Sequence, residues 1–371
     1  MMSETGVIPG LDESTIIEKG RLGPGQMINV DLNTGEWKDN LKIKSEIASA
    51  HPYGEWLKKQ AKYVGAATHD TDRMYDDVGA TSLQESFGWS LEDISMQIND
   101  MATTGKETTY SMGDDAPIAV LSERPHPLYN YFKQRFAQVT NPPIDPLREG
   151  VVMSLNMVLG KKRSIYKVEE KGARLIRLDS PVLTAKDLDK VKSYAEPENG
   201  GFKNEVVSTR YDISKGPDYL YDAIDDLCDK AVAAVMSGTE VVILSDKPRS
   251  PSDLESSTYI PPLAAVGAVH HALIAAGVRM DAGIVIETGA AWSTHHFAML
   301  VGYGGEIGRG AKRQQNDYIA FLHELTTFYS SLIPTSFAIR FAHRSTRCPP
   351  LHGLRDHQTV VGSRDDAEED E

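Results

Sequence analysis

With 371 residues, 40% of them hydrophobic, the chain has room for one large α/β domain or two smaller ones around a sizeable core. Its net charge of −14 argues against nucleic acid and anionic membrane as partners, and no run of about 18 apolar residues is present to cross a bilayer. Six of the last seven residues (DDAEEDE) are acidic and read as a solvated tail. Two cysteines, Cys228 and Cys348, give no disulfide framework and point to a reducing compartment.

In chain order, residues 1–50 read as a tail. Gly20-Arg21-Leu22-Gly23-Pro24-Gly25 leads into a short strand over 27–31, followed by a turn at Asn33-Thr34-Gly35. Residues 51–130 look mainly helical, broken at Gly88, Gly105 and Gly113, and Ser90 with Asp93 has the spacing of an acidic capping box. Residues 131–160 (YFKQRFAQVTNPPIDPLREGVVMSLNMVLG) are the most unusual stretch. Three prolines at 142, 143 and 146 remove backbone donors and push the preceding residues out of the helical region, so a rigid extended strip is expected between two apolar helices. Arg135, Asn141, Asp145 and Arg148 line it as polar contacts toward a neighbouring domain, or as surface ion pairs.

From about 173 the rhythm changes to alternating strands and helices. Strands are expected at 173–178, 204–209, 240–244, 283–287 and 297–302. A strong amphipathic helix is expected at 219–237, stopped by Gly238, and a second at 262–276, stopped by Gly277. Strand, helix, strand in this order means a parallel sheet with crossover helices. The fold class is therefore α/β, with a barrel-like alternating β/α domain and a mainly helical N-terminal portion. Beyond 304 the period is lost, apart from a possible amphipathic helix over 318–332.

Among chemistry-bearing residues, Asp246 and Glu287 are the catalytic candidates, because each stands just after an expected parallel strand, where barrels of this kind build their catalytic face. Paired with His295 or His296 they could transfer protons; the alternative is that they cap neighbouring helices or remain as relics of an ancestral active site. The pairs His270-His271 and His295-His296 suit zinc poorly, since adjacent helical side chains point about 100° apart and a metal needs convergent ligands. Cys228 falls inside the 219–237 helix, where a buried, inert thiol is expected. Gly302-Tyr303-Gly304-Gly305 follows an expected strand but lacks a nucleotide-binding fingerprint, and the acids of Ser111-Met112-Gly113-Asp114-Asp115 would repel a phosphate.

Several stretches in fixed order resemble the central domain of glutamate synthases. They are GRLGPGQMINVD at 20–31, HPYGEWL at 51–57, FGWSLED at 87–93, MATTGKETTYSMGDDAPIAVLS at 101–122, RFAQVTNPPIDPLRE at 135–149, LDSPVL at 178–183, and 262–304. The resemblance implies a division into residues 1–50, the end of a glutamine amidotransferase domain; 51–304, the central domain; and 305–371, an extension unlike the family's continuation. It implies that the other domains of the enzyme are the partners, that ferredoxin or NAD(P)H is the electron donor, and that the compartment is plastid or cytoplasm. FMN and an iron–sulfur cluster would belong to the full-length enzyme and not to this chain. The central domain would link the glutaminase and flavin domains and shape the route of ammonia between them. No cysteine precedes Cys228, so the family's N-terminal cysteine nucleophile is not expected here, and two cysteines so far apart cannot hold a cluster. The competing readings are a non-catalytic structural or dimerisation module acting with a full-length enzyme, and a separate α/β enzyme using Asp246 and Glu287.

Overall fold

The computed structural model describes residues 10, 12–16, 20–65, 80–104, 108, 113, 120–121, 126–133, 154–250 and 252–309. The chain divides into two compact units, Met1–Lys59 and Gln60–Glu371.

In the first unit, β1 (Asn29–Val30) pairs antiparallel with β2 (Trp37–Lys38) across the turn expected at Asn33-Thr34-Gly35. The Asp31 carboxylate accepts from the Asn33 amide at 2.8 Å, and Gly35 adopts φ 71°, open to glycine at little cost. Asp39 caps α1 (Asn40–Ser49) by accepting from the Lys42 amide at 2.7 Å, and α2 (Tyr53–Gln60) follows. No residue of either helix is buried, and Leu41, Ile47 and Leu57 are exposed. Helices in proteins owe most of their stability to a packed apolar face, so these two lack a core of their own.

The second unit begins with β3 (Lys62–Val64), then α3 (Ala80–Ser86) and a helix over 91–104. That helix opens on the expected capping box. The Ser90 amide and hydroxyl donate to Asp93 Oδ2 at 2.9 and 2.6 Å, and the Asp93 amide donates to Ser90 Oγ at 2.9 Å. It takes π-helical turns over Asp93–Ile98 before regular α4 (Asn99–Thr104). The proline strip and its four polar residues, Arg135, Asn141, Asp145 and Arg148, lie outside the described residues, as does 318–332. The C-terminal flank of the strip, expected to be helical, is instead β4 (Met157–Leu159), antiparallel to β5 (Ile176–Leu178), with β3 parallel on the other side of β5. Three-residue apolar segments carry too little period to separate strand from helix.

Next come α5 (Ala185–Ser193), β6 (Asn204–Ser208), β7 (Arg210–Asp212), α6 (Tyr219–Met236) and β8 (Val241–Ser245). They are followed by α7 (Asp253–Ser256), β9 (Ser257–Tyr259), α8 (Pro262–Ala275), β10 (Gly283–Glu287), α9 (Thr294–Gly302) and β11 (Ile307–Arg309). The main sheet is parallel throughout, in the order β11-β10-β8-β6, with Ile243 aligned between Val206 and Val285.

Side chains of these strands alternate between two cores, as the pleat requires. Val242, Leu244, Ile284 and Ile286 pack with Ile224 and Leu227 of α6, Val266, Val269 and Leu273 of α8, and Phe297 and Leu300 of α9. Val241, Ile243, Val285 and Ile307 pack on the other side, with Leu188 and Val191 of α5 and with Leu159, Ile176 and Leu178 of the small sheet. Fully burying each such Leu or Ile contributes about 1.5–3 kcal/mol.

Two further sequence expectations need correction. Residues 297–302, expected as a strand, are the body of α9; Ser293 caps it by accepting from the His296 amide at 3.3 Å, and the true strand, β11, follows the glycines. A short apolar run fits either period, and here the cap decides. The barrel is the second. Val182 bridges Gly308 in parallel, and the Leu183 amide donates to the Gly308 carbonyl at 3.0 Å, so the chain enters beside β11. It then crosses by α5 to the far edge at β6 and returns through β8 and β10. Right-handed crossovers run in opposite directions place α5 on one face and α6, α8 and α9 on the other. Among the described residues the result is an open, layered α/β sheet with β6 at an edge, not a closed one.

Candidate functional site

The carboxyl ends of β8 and β10 gather four buried polar side chains, Ser245, Asp246, Glu287 and Thr288. Asp246 and Glu287 stand at these strand ends, as expected, and both are buried, but the sheet separates them. Glu287 lies opposite Ser245 in the register, and both side chains emerge on the α5 face. The Ser245 hydroxyl donates to Glu287 Oε2 at 2.9 Å, and Lys192 Nζ of α5 stands 3.7 Å from the same oxygen. Asp246 is one residue further on and so points to the opposite face. Its carboxylate accepts from the Thr288 hydroxyl and from the Gly289 amide, at 3.1 Å to Oδ1 and 3.2 Å to Oδ2. The Thr288 hydroxyl oxygen in turn accepts from the Ala290 amide at 3.0 Å. Each carboxylate thus fastens a strand end to a neighbouring segment.

The loop held by Asp246 has aromatic walls. Trp89 Nε1 donates to the Gly289 carbonyl at 3.0 Å, and a Cβ on Gly289 would fall 2.4 Å from the Phe87 ring. Trp89 and Trp292 lie 5.2 Å apart, and Phe87 and Tyr259 5.1 Å apart, as tilted pairs. The segment 87–93 is therefore seated on this loop by its two large rings.

His295 and His296 belong to the same face without joining the carboxylates. His295 Nε2 is 3.0 Å from the Tyr129 carbonyl. His296 stacks on the Tyr129 ring at 4.2 Å, meets Trp292 edge-on at 4.6 Å, and accepts from the Trp292 amide through Nδ1 at 3.3 Å. Burial first, and His295 second, push the His296 imidazole down to about 3. Its folded value lies below the ordinary 6.5, so the unfolded chain takes up a proton first as pH falls. His296 accordingly contributes stability that is complete above about pH 6.5 and is lost progressively toward about pH 3. Urea midpoints measured across this window should fall with pH, and His296→Phe should flatten the slope; an unchanged slope would contradict the assignment.

The other pair serves a separate end of the sheet. Arg279 Nε donates to His270 Nδ1 at 2.9 Å, and burial, then Arg279 and His271, push His270 down to about 4. Among the described residues no group of three or more His, Cys, Asp or Glu is placed to hold a metal ion. The glycines after α9 cannot cradle a phosphate, because their amides finish the helix: Gly304 donates to Val301 at 3.1 Å and Gly305 to Leu300 at 3.0 Å. Of 111–115 only Gly113 is described.

Cys228 sits on α6, half-buried, and burial followed by Asp225 and Asp229 pushes its thiol up to about 11. That is the reverse of an activated nucleophile. Peptide mapping after brief alkylation near neutral pH should leave Cys228 largely unmodified in the folded chain and modified in urea. Rapid labelling of the folded chain would contradict this environment. Cys348 lies outside the described residues.

Two residues that the sequence did not single out organise the site. The Arg210 guanidinium donates to Ser257 Oγ at 3.0 Å and to the carbonyls of Asp246 at 3.3 Å, Asp253 at 3.1 Å and Ser257 at 2.6 Å, pinning the loop after β8 to β7 and β9. Tyr129 is buried with its hydroxyl unpartnered among the described residues, and burial, then the Asp246 and Tyr259 charges, raise it well above 10. Neither carries a local sequence signal, since both act through contacts distant in the chain.

Comparison with known proteins agrees with this scaffold. Residues 82–307 match the family described as the glutamate synthase central domain, and residues 1–56 match class-II glutamine amidotransferases. The chain is 47% identical over 303 residues to ferredoxin-dependent glutamate synthase 2 of Synechocystis, a match covering 81% of this chain and 19% of that protein. It is 48% identical to the chloroplastic ferredoxin-dependent glutamate synthase of Oryza sativa (81% of this chain, 18% of that protein). It is 45% identical over 309 residues to the chloroplastic ferredoxin-dependent glutamate synthase 2 of Arabidopsis thaliana (81% and 18%). The chain thus spans about a fifth of the length of these relatives. With a central-domain match over residues 82–307, well over half its length, the chain belongs to the glutamate synthase family.

Proposed function

We propose that this chain supplies the central region of a glutamate synthase, the part joining the glutaminase domain to the flavin domain in an enzyme that makes glutamate from glutamine and 2-oxoglutarate. The observation that carries this reading is the fate of Asp246 and Glu287. They emerge on opposite faces of the sheet; both Asp246 oxygens are engaged by Thr288 and Gly289, and Glu287 Oε2 by Ser245 and Lys192, so the two carboxylates act as fasteners rather than as a proton-transfer pair.

Residues 1–50, with β1, β2 and most of α1, then belong to the end of an amidotransferase domain. Their apolar residues, Leu41 and Ile47 among them, are exposed because the rest of that domain supplies their core. Residues 51–304 form the central domain, and 305–371 an extension. The donor we favour is ferredoxin, the one the relatives' names print, and the chloroplastic names among them support a plastid.

Among the described residues nothing fits the family's redox groups. An iron–sulfur cluster needs several thiolates close together, whereas Cys228 stands on a helix with its thiol held protonated. A flavin needs a cleft of several hundred Å³; the chamber between the β8 and β10 ends has about 10 Å³. We place both groups in other parts of the enzyme.

A chimera tests the proposal. Residues 82–307 of this chain would replace the matching region of the Synechocystis relative. Glutamine-dependent glutamate formation retained within about tenfold is the expected result. A folded chimera that keeps its flavin but makes no glutamate would sink the reading.

A further inference from the structure

The first turn of α8 borders the carboxyl ends of β8 and β10 around a chamber of about 10 Å³, lined by Thr209, Asp246, Thr288, Pro262, Ala265 and Val266, among others. This is room for about one water molecule. We propose that the chamber is a binding site for a single, tightly held water that bridges Asp246 and Thr209.

Three features of the wall select the occupant. Asp246 puts a carboxylate there, which rejects an anion. Pro262 opens the 14-residue helix α8, and no side chain caps that end. The helix therefore brings its positive pole to the chamber, which disfavours a cation. Size excludes anything larger, so a neutral dipole remains.

The polar partners also suit water. An apolar cavity of this size stays dry, and a buried water needs two to four polar partners. Thr209 is buried and gives its own proton to the Ser245 carbonyl at 3.3 Å, which leaves its oxygen to accept. The Thr288 hydroxyl is engaged by Asp246 and the Ala290 amide. The occupant is thus asked to donate twice, to Asp246 and to Thr209. A water so placed would tie the segment after β6 to the ends of β8 and β10.

The test is a high-resolution crystal structure of the 371-residue chain, with a second data set from crystals soaked in a rubidium salt. The expected map shows one peak within hydrogen-bonding distance of both Asp246 and Thr209, without anomalous signal in the rubidium data. An anomalous peak there would mean a cation site, and no density at all would mean a dry chamber; either overturns the proposal. Thr209→Val keeps the volume and removes the acceptor, so its map should lose the peak. An undiminished peak in that variant would also overturn the bridge, and failure of the variant to fold leaves the wild-type maps to decide.

Discussion

Asp246→Ala should lower the unfolding free energy by about 2–5 kcal/mol, because it strands two buried donors, each costing about 1–3 kcal/mol. Those donors are the Thr288 hydroxyl and the Gly289 amide. The loss spreads further, since Gly289 is where Phe87 packs and Trp89 donates. Asp246→Asn retains an acceptor oxygen and should cost less. Urea unfolding measures both; a midpoint that falls with an unchanged slope identifies lost native stability. An Ala variant as stable as the parent would mean that the carboxylate does not hold this loop, and would reopen a chemical role for it.

Gly304→Ala should cost about as much, roughly 3–5 kcal/mol, by adding overpacking to backbone strain. Gly304 has φ 109°, a conformation that side chains rarely tolerate, and a Cβ there would lie 2.2 Å from Nδ1 and 2.4 Å from Cγ of His270. His270 cannot swing aside cheaply. Arg279 donates to its Nδ1 at 2.9 Å and, through NH2, to the Gly304 carbonyl at 2.9 Å. The same guanidinium approaches buried Glu306 at 3.5 Å, whose Oε1 also takes Lys162 Nζ at 2.6 Å. The substitution therefore strikes a network that fixes the start of β11. Circular dichroism melting should show a large drop in the transition temperature, and a shift within error would show that the turn after α9 can relax.

How much of this was legible in the sequence depends on the length of each signal. The long elements were plain: α6 repeats its apolar face over Ile224, Leu227, Ala231 and Val235, and the strands GIVIE and VVILS are apolar enough for a sheet covered on both sides. The capping box at Ser90 was also legible, since a cap is a local pattern. The six-residue run in α9 was not, because its helical state depends on Ser293 ahead of it. Sheet closure was not legible either. It turns on the bridge between Val182 and Gly308 and on which edge α5 crosses to, neither of which leaves a local mark.

The candidate site shows the same limit. The sequence placed Asp246 and Glu287 correctly at the strand ends, with catalysis or helix capping as their roles, whereas the structure has each tie a strand end to a neighbouring segment. What it could not supply was the register: Glu287 lies opposite Ser245, and that single-residue offset sends the two carboxylates to opposite faces. Tyr129 and Arg210 were invisible because their partners, Asp246 and His296 for one and Asp253 and Ser257 for the other, come together only in the folded chain.

The proposal places this chain as a scaffold in a glutamate synthase, with the redox centres in other parts of the enzyme. The most direct test is the absorbance spectrum of the purified chain after incubation with excess FMN and removal of unbound flavin. The account predicts a colourless protein, without bound flavin above background. Stoichiometric flavin retained by the folded chain would contradict it.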